Sequence, residues 1–268
     1  MERLLDEHIE KLKKRVIKMC SLVDEQVQAA IRSVETEDLT LAKEVMEKDN
    51  QVDKYDNKID KICQKIFALT QPVAMDLRLI MSSLTINNNL ERIGDIAVNI
   101  AEYIIMINKK PAFYNQTKLE PMFKVVKQML KDAIDSYVEG NETLARAVID
   151  SDDNLDKMNF DNHKILIDIM KQNPDNIEPG IALLVMSRQL ERLGDHCTNI
   201  AEDVFFIVEA HLVKHKYEKY LFGDDKDENC FVMNYHAAEH LIRRRRVVED
   251  VNHLQYVVAG ACNSVASK

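Results

Sequence analysis

The sequence predicts an all-α protein, two tandem three-helix bundles related by internal duplication, and three observations carry that expectation. The segment Leu90-Glu91-Arg92-Ile93-Gly94-Asp95 returns as Leu190-Glu191-Arg192-Leu193-Gly194-Asp195, and each copy is followed by Asn-Ile-Ala-Glu, at 99–102 and at 199–202. Apolar residues recur every three or four positions over long stretches, the period of a helix that buries one stripe. Six Gly and five Pro in 268 residues are few and fall mainly in connections rather than in evenly spaced turns, which disfavours a sheet.

The duplication extends upstream at a slightly different offset. Leu41, Ala42, Val45, Asp49, Val52 and Asp53 recur as Leu144, Ala145, Val148, Asp152, Leu155 and Asp156, and Met19, Val23, Val27, Ala30 and Ile31 align with Met122, Val126, Leu130, Ala133 and Ile134. The offset falls by three where Gln71-Pro72 faces Asn173-Pro174, which puts the length change in a loop. Each half therefore reads as three helices.

The first helix is expected near 3–34, on the stripe Leu5, Ile9, Leu12, Val16, Met19, Val23, Val27, Ala30 and Ile31. The polar break Glu35-Thr36-Glu37-Asp38 offers Thr36 or Asp38 as the N-cap of a second helix over about 38–69. A third follows Pro72 and runs to about Asn108, where Lys109-Lys110-Pro111 ends it. The second half repeats the pattern near 118–138, 141–172 and 178–220, divided by Glu139-Gly140-Asn141 and Asn173-Pro174-Asp175. Helices of this length joined by short turns become antiparallel neighbours. The expected units are 1–111, 112–222 and an appendage over 223–268 that has no counterpart in either repeat. The appendage opens on the polar run Gly223 to Asn229 and contains Arg243 to Arg246; from Asn229 onward it is expected to be dispensable for folding and metal binding.

A hydrophobic content of 46% is ample for a core, and the net charge of −9 argues against broad binding to nucleic acid phosphates or to an anionic membrane. Cations or basic partner surfaces suit it better. Cysteines at 20, 63, 197, 230 and 262 form no close pair and no zinc-like spacing, so they read as free thiols of a reducing compartment. The charged start Met1-Glu2-Arg3-Leu4-Leu5-Asp6-Glu7 does not look like a signal peptide, and no stretch has the length of a membrane span; a soluble cytoplasmic protein is expected.

Candidate chemistry lies in the acidic residues. On an ideal helix, advances of four, seven and eleven residues return within about 40° of the start. Asp49, Asp53, Asp56 and Asp60 therefore share one stripe of the second helix, and Glu91, Asp95 and Glu102 share one of the third. The second half offers Asp152 and Asp156, with Asn159 for Asp56 and His163 for Asp60, against Glu191, Asp195 and Glu202. Gly94 and Gly194 sit in mid-helix, where each costs about 1 kcal/mol relative to Ala, which points to close approach at that level. Two carboxylates about 5 Å apart repel by about 3 kcal/mol at an effective dielectric near 20, so converging acids need protonation, pairing with Arg92 or Arg192, or a cation. Arg92 follows Glu91 directly and points about 100° away, which places it at the flank. Oxygen ligands from two helices suit Mg, Mn, Fe or Ca, and His163 and His196 offer nitrogen in the second bundle. The metal-ligand candidates are Asp49, Asp53, Glu91 and Asp95 in the first bundle and Asp152, Asp156, Glu191 and Asp195 in the second.

Neither repeat contains Glu-x-x-His, and the chain has no Gly-rich phosphate loop and no Gly-x-Ser-x-Gly, so no catalytic constellation is expected. The paired acidic motifs on successive helices, the segment Gln71-Pro72-Val73-Ala74-Met75-Asp76-Leu77-Arg78 and the two Leu-Glu-Arg-x-Gly-Asp cores together resemble the PhoU family over about 1–222. That resemblance implies a cytoplasmic, homodimeric negative regulator of phosphate uptake without enzymatic activity. It implies a multinuclear metal cluster on the acidic motifs, with iron in first place and zinc, manganese, magnesium or calcium as alternatives. It implies as partners the ATPase of the phosphate ABC transporter and the phosphate-sensing histidine kinase, the starvation response being repressed when phosphate is plentiful. The second half departs from the pattern, having no good counterpart of Ala74 to Arg78, and so does the tail beyond Asn229. The rival readings are a metal-dependent hydrolase and a structural helical adaptor without metal.

Overall fold

The structure, a computed structural model, describes residues 2–209. Six long helices carry the described residues: α1 Glu2–Thr36, α2 Leu39–Leu69, α3 Ala74–Ile107, α4 Leu119–Glu139, α5 Glu142–Gln172 and α6 Ile177–Glu209, with short 3₁₀ turns at Tyr114–Gln116 and Pro174–Asn176. The helices α1, α2 and α3 pack on one another, and so do α4, α5 and α6, giving two three-helix bundles in tandem as expected. The expected appendage and the continuation of the last helix to 220 lie outside the described residues.

The buried stripes explain the bundles. Leu12, Val16, Met19, Val23, Val27, Ala30 and Ile31 on α1 are closed to solvent, as are their counterparts Met122, Val126, Leu130 and Ala133 on α4, while Ile134 packs at the margin. Each large aliphatic so buried contributes roughly 1.5–3 kcal/mol. The turns repeat as faithfully as the core. Glu37 (φ 57°) and Gly140 (φ 64°) take left-handed conformations one residue before the caps Asp38 and Asn141. Asp38 accepts from Thr40 N and Leu41 N, and Asn141 from Thr143 N and Leu144 N. Of the two expected cap candidates, Asp38 serves, and Thr36 instead donates its hydroxyl to Arg32 O at 2.8 Å.

The connection between the bundles is tied down. Lys110 N donates to Glu37 Oε1 and Lys110 Nζ to Glu35 O, both at 2.8 Å, and Phe113 and Tyr114 are buried. The two bundles meet along α3 and α6, which pack on each other as closely as helices within a bundle. Asn89, buried on α3, accepts from Asn199 Nδ2 at 3.3 Å and stands 2.9 Å from His196 Nδ1. The start of α3, at Met75 and Leu79, lies beside Ile207 near the other end of α6, so the two helices run antiparallel.

Candidate functional site

In the first bundle the acids of α2 and α3 do share one face, and they share it with two polar side chains that carry the geometry. Gln26 of α1, buried, donates to Asp49 Oδ1 at 2.9 Å. Asn87 of α3, also buried, donates to Asp56 Oδ1 at 2.7 Å and to Asp60 Oδ1 at 3.4 Å. Gly94 lets α3 approach: a Cβ there would stand 3.2 Å from Val52 Cγ1 and Gln26 Oε1 and 3.6 Å from Asp49 Oδ1.

The electrostatics follow from this crowding. Burial above all, then the charges of Asp53 and Asp95, lifts the Asp49 carboxyl above its ordinary range, against the hydrogen bond from Gln26. Burial and then Asp60 lift Asp56, with the Asn87 bond opposing and Asp53 adding. Glu91 is raised first by burial and then by Asp95; Arg92 opposes, and Asp56 and Asp53 add to the rise. The charges felt by Glu91 thus come from both helices. Arg92 flanks the face as expected, at 3.5 Å from both Glu91 and Asp95 and half exposed. Glu102 is exposed and is not among the charges that raise Glu91.

The second bundle keeps the positions and changes the chemistry. Asp152 and Glu191 are buried, more deeply than Asp49 and Glu91, and Asp156 and Asp195 are half-buried. Met129 stands where the first repeat has Gln26, and Ser187 where it has Asn87; Ser187 donates to Asn159 Oδ1 at 2.8 Å. Arg188, whose counterpart is the exposed Asn88, donates to Glu191 Oε1. His163 is pushed down by burial and by Arg188. His196 faces α3 across the seam rather than the acidic stripe, and burial, then Arg192 and Arg92, push it down to about 4.

Oxygen donors on two helices, held at raised pKa by burial and by one another, have the donor chemistry of a site for a hard or borderline cation. Among the described residues, however, no group of three or more His, Cys, Asp or Glu is gathered to hold a metal ion. The carboxylates share a face and a field without gathering into such a group. Sequence reasoning missed Gln26, Asn87, Arg188 and Ser187. Asn87 was within reach, because it lies four residues before Glu91 and so one turn along the same stripe.

Two three-helix repeats in tandem, each bearing carboxylates on its second and third helices, define a tandem-bundle protein with duplicated acidic faces. The PhoU domain matches the chain twice, over residues 16–104 and 119–204. The chain belongs to the PhoU family. A phosphate-specific transport system accessory protein PhoU homolog of Aquifex aeolicus is 34% identical over 215 residues, 80% of this chain and 97% of that one. The corresponding homolog 1 of Thermotoga maritima is 32% identical over 197 residues, 73% of this chain and 85% of its own. The crystal structure of PhoU from Pseudomonas aeruginosa superposes with a TM-score of 0.74 at 31% identity, covering 77% of this chain and 99% of that one. No helix among the described residues is long and apolar enough to cross a membrane.

Proposed function

We propose that the protein is a cytoplasmic accessory regulator of phosphate transport that holds metal cations on its two acidic faces and represses the phosphate-starvation response when phosphate is plentiful. Support for the transport role comes from relatives named as accessory proteins of phosphate-specific transport systems, aligned over most of their length. In this reading the partners are the transporter ATPase and the phosphate-sensing histidine kinase, the protein acts as a homodimer, and it catalyses nothing itself.

The observation that supports the metal reading is the shared face of Asp49, Asp56 and Glu91, each raised first by burial and then by neighbouring carboxylates, from both α2 and α3 for Asp49 and Glu91 and from α2 alone for Asp56. A cation is the compensation that relieves several carboxylates at once. Asp49, Asp53, Glu91 and Asp95 would hold it in the first bundle, and Asp152, Asp156, Glu191 and Asp195 in the second. When bound, the metal, iron foremost, with zinc, manganese, magnesium or calcium as alternatives, would supply charge neutralisation that draws α2 and α3 together. An arginine stands beside the glutamate on both faces, Arg92 at 3.5 Å and half exposed on the first and Arg188 hydrogen-bonded to the buried Glu191 on the second, so the first face keeps the weaker internal compensation.

Elemental analysis of protein purified without chelator or metal-affinity column tests this directly. Metal is expected, and Glu91→Gln with Asp95→Asn should remove about the share of one bundle. Metal-free wild-type protein, or unchanged content in the double variant, overturns the site. The regulatory role is tested separately by deleting the gene, which should leave starvation genes on in phosphate-rich medium; normal repression with no paralogue to compensate overturns it.

A further inference from the structure

The charge of −9 is a sum over the whole chain, and its distribution is uneven. From Lys11 to Val23, α1 carries five cations and no acid; Glu7 and Glu25 lie beyond the two ends of that stretch. Lys11, Lys14, Arg15 and Lys18 stand within about 100° of one another round the helix. On α2, Lys54, Lys58, Lys61 and Lys65 follow at intervals of four, three and four and share a stripe about 60° wide. All of these lysines are exposed. Arg15 Nη1 donates to Lys58 O at 2.9 Å, which joins the two stripes into one basic face. On α2 this face is centred about 140° round the helix from the stripe of Asp49, Asp53, Asp56 and Asp60, so it is separate from the candidate metal site.

The second repeat shows that the fold does not require such a face. The offset of 103 carries Lys11, Lys14, Arg15 and Lys18 to Tyr114, Thr117, Lys118 and Pro121. It carries Lys54, Lys58, Lys61 and Lys65 to Lys157, Asp161, Lys164 and Asp168, an alternation of sign. Opposite charges three and four residues apart stabilise a helix, and like charges at those spacings destabilise it. A stripe of four lysines is therefore the poorer solvent face, and an extended anionic surface laid along it compensates the repulsion.

The ends of the two stripes choose among anionic surfaces. Gln26 stands beside Asp49 and Arg15 beside Lys58, so α1 and α2 run antiparallel and the start of α1 meets the finish of α2. Leu4 lies seven residues before Lys11, and Leu69 four after Lys65, so each basic stripe ends in a leucine at the same end of the bundle. Leu4 and Leu69 are 41% and 52% exposed, and Val73, in the connection that follows, is 69% exposed. Cations for headgroups and apolar side chains for the acyl boundary are the two components of interfacial membrane binding. Nucleic acid on a basic face is held through its phosphates, a contact to which exposed leucines add nothing.

We propose that the outer face of α1 and α2 docks on an anionic phospholipid bilayer, its lysines and Arg15 against headgroups and Leu4, Leu69 and Val73 at the acyl boundary. The contact is peripheral and turns the acidic stripe of α2 away from the lipid. This is independent of the metal and transport readings.

The test is flotation of the full chain with vesicles of phosphatidylcholine, alone or mixed with phosphatidylglycerol. Wild-type protein is expected to float with the mixed vesicles, less as salt rises, and not with phosphatidylcholine alone. Lys58→Gln with Lys61→Gln and Lys65→Gln should weaken binding about a hundredfold. Lys157→Gln with Lys164→Gln and Lys171→Gln, which removes the same charge from α5, should leave it unchanged. Wild-type protein that does not float, or an equal effect of the two triple variants, overturns the proposal. So does binding that survives the α2 substitutions, which would place the contact elsewhere on the chain. Tighter binding to duplex DNA than to the mixed vesicles would assign the face to nucleic acid and overturn it too. Leu69→Gln should weaken flotation; an affinity equal to wild type overturns the bilayer in favour of an acidic protein surface.

Discussion

Gly194 and Gly94 hold matching positions with unequal tolerance for a methyl group. At Gly194 a Cβ would run into Leu155 Cδ2, with Met129 Cε at 3.5 Å; at Gly94 its nearest neighbours are Val52 Cγ1 and Gln26 Oε1, both 3.2 Å away. Leu155 and Met129 are sealed in the core and cannot turn aside cheaply. Gly194→Ala is therefore expected to cost about 1–3 kcal/mol through overpacking, a fall of several degrees in Tm. Gly94→Ala faces a milder contact, and the helix propensity gained by Ala, about 1 kcal/mol, offsets most of it. Paired thermal melts check the ranking; equal losses at the two positions would contradict it. That both glycines mark close approach was legible from their place in mid-helix, but the unequal room was not, because it depends on Leu155 pressing on α6 from another helix where the first repeat has Val52.

At the scale of elements, the turn between α1 and α2 shows how one side chain can set a connection seventy residues away. Glu37 accepts a left-handed φ that a non-glycine residue resists, and its carboxylate receives Lys110 N at 2.8 Å. Glu37→Ala should lose the acceptor and keep the strain, at a cost of about 1–2 kcal/mol in chemical denaturation. Glu37→Gly loses the same bond but relieves the strain, so it should be the less damaging of the two. The reverse order would show that the bond contributes little. Helix limits within the described residues were well read because their causes are local: Asp38 and Asn141 cap, and Pro111 lies just past α3. The burial of Phe113 and Tyr114 in the connection was not read, since two aromatics in a polar stretch have no period to betray them.

For the whole molecule, buried neutral groups set an alkaline limit. Burial pushes the Cys20 thiol up to about 12, the Cys63 thiol to about 12 and the Tyr137 hydroxyl to about 12, on α1, α2 and α4 respectively. Folded values above the ordinary 9 for thiols and 10 for tyrosine favour the neutral form in the folded state. Their stabilisation is whole below pH 9 and is lost as pH rises from 9 toward 12, because only the unfolded chain ionises there. Thermal melts should be level between about pH 7 and 9 and fall beyond it, less steeply in Cys20→Ala with Cys63→Ala. A Tm unchanged to pH 11 would contradict this.

The sequence by itself determined the helical class, the order of the helices and their limits within the described residues, the tandem duplication and the stripe that each acid shares, because helix period and capping are properties of neighbouring residues. It also carried the family resemblance that the domain match bears out. Only the tertiary structure decided which polar residues stand beside the acids, since Gln26 reaches Asp49 from another helix and Asn87 reaches Asp56 across the bundle. It decided too that His196 turns to Asn89 at the seam between bundles, and that Arg188 bonds Glu191 while Arg192 donates to Gln189. Such contacts depend on how separate helices are rotated about their axes when their cores close, a quantity that no spacing along a single helix records.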